Sequence, residues 1–170
     1  MNEYKITKQV KRVQKKYSKL LGRVMVILAI VLVVLGIIFD RGLFLPAFLL
    51  AALYYFFSYQ NDKEYEYTME NGKLSIAVIR GKRKRKTAHE LDLKDLEVIA
   101  PNWHDAVARY RKNGGTEILP KFDYTSYDDD IPYYTMIIYE KEKKIKLLLD
   151  LDGEMLRPIK RMYPQKVYLE

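Results

Sequence analysis

Two uninterrupted apolar stretches of about twenty residues constrain this chain more than any other feature. Residues 20–39 read LLGRVMVILAIVLVVLGIIF, with Arg23 the single charge. Residues 42–61 read GLFLPAFLLAALYYFFSYQN and carry none. A helix rises about 1.5 Å per residue, so roughly twenty apolar residues cross the ~30 Å hydrocarbon layer of a bilayer. A helix apolar on all sides has no polar face to offer water, and a chain of 170 residues has little soluble body in which to bury two of them. A secretory signal peptide would suit the basic start. However, an Ala-x-Ala cleavage site is missing and a second apolar run follows at once. The flanks fit two spans. Arg23 is near enough to one end to snorkel to the headgroups. Pro46 falls in a first helical turn, where a missing N–H costs little. Tyr54, Tyr55, Phe56, Phe57 and Tyr59 form the aromatic belt of an interface.

Only Asp40 and Arg41 separate the stretches, which predicts an antiparallel hairpin over residues 20–61 with both termini on one side. Residues 1–19 hold seven Lys/Arg against Glu3 alone. The positive-inside bias therefore predicts a two-pass protein of the cell membrane with both termini cytosolic. In that basic segment Ile6, Val10, Val13, Tyr17 and Leu20 are spaced 4, 3, 4 and 3. The spacing predicts a basic amphipathic helix, either lying on an anionic leaflet or packed on the soluble domain.

Residues 62–170 form the soluble domain. They hold 21 basic and 20 acidic residues, so the basic excess belongs to the N-terminal segment and no nucleic-acid partner is expected. The chain has no cysteine, which removes disulfides, thiolate catalysis and cysteine-ligated zinc. Asn71-Gly72 between residues 64–70 and the alternating KLSIAVIR of 73–80 is a strong hairpin signal. Residues 87–92 and 93–100 read as two more strands, the second after a short turn. Residues 101–132 are irregular, with a helical turn at 107–112. Residues 133–141 and 144–151 are strands around a tight charged turn. Asp152 caps a last helix over 153–163, with an apolar stripe of Met155, Leu156, Ile159, Met162 and Tyr163; Pro158 should kink or shorten it. The class is α+β: a small antiparallel barrel or curved sheet of six or seven strands behind a helical hairpin, its open end covered by the C-terminal helix.

The order of two spans, YEYTMENGKLSIAVIRGKRKRK, LDLKDLEVIAP, paired strands and GEMLRPIKRMYPQKVY resembles a family of small bacterial two-pass membrane proteins. More broadly it is similar to bacterial pleckstrin-homology-like domains set behind membrane hairpins. The resemblance implies a membrane-tethered, partly open β-barrel capped by a C-terminal helix. It implies no catalytic residues.

Candidate sites are few. The basic run Lys82, Arg83, Lys84, Arg85 and Lys86 offers charge-assisted contacts to anionic lipid headgroups, or is a solvated turn whose lysines guard a strand edge. Trp103 with His104 in an irregular loop offers a partner-binding anchor, or Trp103 plugs the end of the core. His89 and His104 are the only histidines and stand in no metal-ligand pattern, so no metal and no cofactor are expected. Asp128, Asp129 and Asp130 lack calcium-loop spacing. Ser18, Ser58, Ser75 and Ser126 lie in no nucleophile elbow. The expected function is a non-enzymatic, membrane-anchored interaction module for a protein partner. The alternatives are anionic-lipid binding by the basic run and N-terminal helix, and an enzyme with a site near loop 102–132.

Overall fold

The computed structural model describes residues 5–13, 16–81, 84–128 and 130–169. Strand β1 (Ile6–Lys11) leads into helix α1 (Lys16–Ile38). Helix α2 (Phe44–Asn61) returns antiparallel to it. The link is short because Asp40 caps a single 3₁₀ turn, Arg41–Leu43, its carboxylate accepting from the Gly42 N–H at 2.8 Å. Both helices are long and apolar enough to cross a membrane. Most of their large side chains are exposed, while Gly22, Gly36 and Ala47 are buried where the two helices meet. A Cβ at Gly22 would stand 3.2 Å from the Tyr54 ring, and one at Gly36 3.1 Å from Phe44. Small residues here let two helices approach closely, as in helix pairs that pack within lipid.

Seven further strands follow: β2 (Lys63–Glu70), β3 (Lys73–Arg80), β4 (Lys84–Asp92), β5 (Leu96–Pro101), β6 (Lys121–Asp123), β7 (Tyr134–Glu140) and β8 (Lys143–Leu149); helix α3 (Gly153–Met162) ends the order. They form two four-stranded sheets, β1-β2-β3-β4 and β5-β7-β8-β6. All pairings are antiparallel except β6 on β8, which is parallel. Among the described residues no ladder joins the two sheets, so the expected barrel is not closed.

The first sheet alternates. In β2, Tyr65, Tyr67 and Met69 are buried, while the intervening Glu66 and Thr68 lie half-buried on the other face. Asn71 and Gly72 turn the chain with φ of 51° and 74°, as a two-residue hairpin requires. The second sheet does not alternate. Ile137 is buried on one face with Val98, Ala100, Val107 and Tyr110, while Met136 and Ile138 enter the main core on the other. A strand covered on both sides reads as a continuous apolar run, which explains why TMIIY and IKLLL show no period of two. The main core joins residues of both sheets to Met155, Leu156 and Ile159 of α3. Pro158 does not break that helix. Its ring removes only the bond to the Glu154 carbonyl, an exposed residue that water can serve.

The N-terminal segment overturns its expectation. Residues 6–11 are a strand, not an amphipathic helix, paired from Ile6 opposite Met69 to Lys11 opposite Glu64. Val10 enters the core and Ile6 packs on it. The spacing that suggested a helical stripe contains a period of two within Ile6, Lys8 and Val10. The β-branched Ile6, Thr7 and Val10 favour the extended form once β2 offers an edge. Among the described residues, helical backbone is first seen at Lys16.

Asp152 ties the first strand to the last helix. It accepts from the Met155 N–H at 3.1 Å and pairs with Lys8 Nζ at 3.1 Å. Burial opposes its ionisation, but the Met155 N–H and Lys8 outweigh burial and hold the carboxyl below its usual range. Asp152→Ala is expected to cost about 1 kcal/mol. The carboxylate's contribution is present above about pH 4 and is lost as pH falls through the lowered folded value. The urea midpoints of wild type and variant should therefore differ at pH 7 and converge in acid.

Candidate functional site

The base of the helical hairpin, where α1 begins and α2 ends, is built into the first sheet. β1 ends five residues before α1 starts, and β2 starts two residues after α2 ends. Arg12 N–H donates to the Lys63 carbonyl at 3.0 Å, and Val13 N–H donates to that of Ser126. Gly81 turns β3 into β4 at φ 57°, so close to the α2 end that a Cβ there would stand 2.6 Å from the Tyr59 ring. Gly81, directly after β3, thus lies against the Tyr59 ring at the exit of α2.

Lys82 and Arg83 lie outside the described residues. Lys84, Arg85 and Lys86 are the exposed start of β4, opposite Arg80, Ile79 and Val78. Arg85 is engaged by Glu66, which leaves Lys84 and Lys86 as its exposed neighbours. Further cations crowd this end. Burial, then Arg80 and Arg12, push the Lys63 ammonium below its ordinary range. Arg12 also lies over the Tyr127 ring, 3.9 Å from its centroid, and donates to the Tyr65 hydroxyl at 2.8 Å. Electrostatically the end suits an anionic surface.

Trp103 and His104 lie elsewhere, beside the chain end that follows α3. Trp103 is 61% exposed, so it is not the plug of the core. Its loop is nonetheless fixed. Arg111 donates to the carbonyls of Asn102, Trp103 and His104. His104 Nδ1 accepts from the Ala106 N–H at 3.0 Å, and its ring lies 4.6 Å from that of Tyr168. The following 3₁₀ turn, Asp105–Tyr110, supplies Val107 and Tyr110 to the second apolar cluster. The plug is Tyr110. It is 1% exposed, with its hydroxyl on Glu97 and its carbonyl accepting from the buried Lys146 ammonium.

His89 and Ser126 are absorbed by packing. His89 is buried, with Nδ1 3.0 Å from Glu140 and its ring against Phe122 and Tyr124. Ser126 N–H donates to Asp150 at 2.7 Å, and the Tyr67 hydroxyl donates to the Tyr124 carbonyl at 2.6 Å. Burial pushes the Tyr124 phenol up to about 12. Asp129 lies outside the described residues. Among those described, no group of His, Asp or Glu could hold a metal ion. Sequence reasoning missed the ion cluster of Glu97 with Arg109 and Lys144. It joins the bulged β5, the 3₁₀ turn and β8, and sequence spacing carries no sign of it.

No curated protein and no solved structure matches the chain. A family model described as "Bacterial PH-like domain (DUF6106)" matches residues 2–169, a span that takes in β1, both long helices and the two sheets. The chain belongs to that family of bacterial pleckstrin-homology-like proteins.

Proposed function

We propose that this chain is a two-pass membrane anchor without enzymatic activity, whose α1 and α2 span the cell membrane and whose pleckstrin-homology-like domain meets a protein partner at the cytosolic face. One observation carries the partner reading: an exposed Trp103 on a loop pinned by three hydrogen bonds from Arg111. Holding a large aromatic side chain in water brings the fold no burial. At an interface, a rigid aromatic anchor costs little further entropy to engage. Tethering adds effective concentration, so a weak contact suffices. The filled cluster around Tyr110 speaks for a structural loop rather than an enzyme site.

Affinity capture of the full-length protein from its native membranes tests this. Trp103→Ala should lower the retention of a specific partner about thirtyfold, the scale of a hot-spot residue, without moving the unfolding midpoint. Equal retention by both forms would count against the Trp103 surface.

A second reading is anionic-lipid contact by Lys84 and Lys86, favoured by the seating of Gly81 on Tyr59 at the α2 exit. That seating would keep the hairpin at headgroup level. The contact would be sensitive to salt and lost when both lysines become glutamine.

A further inference from the structure

A cleft of about 430 Å³ lies between the two helices at their base. From α1 it is lined by Ser18 and Lys19, then by Gly22 and Arg23 one turn on, then by Val26; from α2 by Tyr54, Phe57 and Ser58. Residues three and four apart share a helix face, so this is one continuous stripe. It is polar at one end and apolar at the other. Ser18 and Val26 are about 12 Å apart along the axis at 1.5 Å per residue. If the helices span a bilayer, the polar end lies at headgroup depth and the apolar end among acyl chains.

Two features at the polar end are unexplained by packing. Ser18 Oγ is buried with no hydrogen-bond partner among the described residues. Such a group costs free energy wherever water cannot reach it. Lys19 and Arg23 have no carboxylate partner among the described residues. Snorkelling would serve either cation alone. It does not explain why two cations and two serine hydroxyls, Ser18 and Ser58, converge on one cleft whose far wall is Val26, Tyr54 and Phe57. Gly22 lines the cleft, and any side chain there would meet Tyr54.

We infer that this cleft binds one anionic phospholipid of the surrounding leaflet. Lys19 and Arg23 hold its phosphate. Ser18 and Ser58 donate to the phosphate oxygens. One acyl chain runs down the Val26 and Phe57 walls. The inference rests on the membrane-spanning reading of α1 and α2. It is independent of the Lys84 and Lys86 surface.

Native mass spectrometry of the full-length protein in detergent tests it, with phosphatidylglycerol as the probe. Phosphatidylcholine of the same acyl chains and inorganic phosphate serve as comparisons. One phosphatidylglycerol should be retained per chain in preference to phosphatidylcholine. Lys19→Gln with Arg23→Gln should weaken that binding about thirtyfold, whereas Lys141→Gln with Lys143→Gln should not. Val26→Trp, which fills the apolar end and leaves every charge in place, should also abolish retention and keeps the test decisive if the double variant does not fold. Equal retention of phosphatidylcholine, or retention unchanged in Val26→Trp, overturns the proposal. Displacement of phosphatidylglycerol by millimolar phosphate would make this a free-phosphate site and overturn the lipid assignment. In all these outcomes the membrane reading stands. It fails separately if alkaline carbonate releases the protein from membranes.

Discussion

A domain cut to begin at residue 62 is expected to aggregate, although the sequence places the start of the soluble part there. The cut removes β1, which pairs with β2 along six positions and contributes Val10 to the main core. What remains is an unpaired β2 edge, a template for intermolecular pairing, above a core that has lost a buried side chain. Burial of a valine is worth about 1.5–3 kcal/mol, a sizeable part of a total near 5–15 kcal/mol. Val10→Asp in the full chain should be harsher still, about 3–5 kcal/mol, because the carboxylate has no partner there. Thr7→Lys, on the exposed side of the same strand, should stay within about 0.5 kcal/mol. Restoring the strand should restore the fold. Because Arg12 and Lys63 are joined by a 3.0 Å backbone bond, a short turn can link residue 13 to residue 62 and replace the helical hairpin altogether. That linked form should be soluble and monodisperse where the form starting at 62 is not. Equal solubility of the two would show that β1 is dispensable.

The second large effect is expected at Tyr110. Its ring fills the outer face of the second sheet with Val98, Ala100, Val107 and Ile137. Its hydroxyl meets Glu97, and the Lys146 ammonium takes its carbonyl. Truncation to alanine should leave a cavity and cost about 3–5 kcal/mol, which lowers the melting temperature by about 10 °C or more. Tyr110→Phe keeps the ring and should cost about 1 kcal/mol. Thermal unfolding followed by Trp103 fluorescence can rank the three forms. This ranking bears on function, because a loop that covers an active site is drawn from the low-stability parts of a fold. A small loss in Tyr110→Ala would return residues 102–132 to consideration as a lid.

Much of the architecture is legible because it rests on local chemistry. Asn71-Gly72 has the φ preferences of its turn, Asp152 is an N-cap three residues before the N–H it accepts, and twenty apolar residues in a row admit few environments. What escaped the sequence depends on distant partners. Ile6 and Val10 satisfy a helical spacing as well as a strand spacing, and only the β2 edge, more than fifty residues on, decides between them. The parallel β6 is three residues long, too short to show a period. Trp103 and Tyr110 sit seven residues apart in one irregular stretch. Which of them faces water is settled by the outer face of β5 and β7, a surface the loop itself does not encode. The cleft at the hairpin base needs two helices placed together, so neither stretch reveals it alone.

In the proposed arrangement α1 and α2 hold the sheets at the inner face of a membrane. A chain without cysteine allows a direct test by single-cysteine labelling in intact cells. Arg41→Cys in the helical link and Lys94→Cys in the domain should be treated with a membrane-impermeant maleimide before and after lysis. Cys introduced at 41 should be labelled from outside, and Cys introduced at 94 only once the membrane is opened. Labelling of both from outside, or of neither until lysis, would contradict that arrangement.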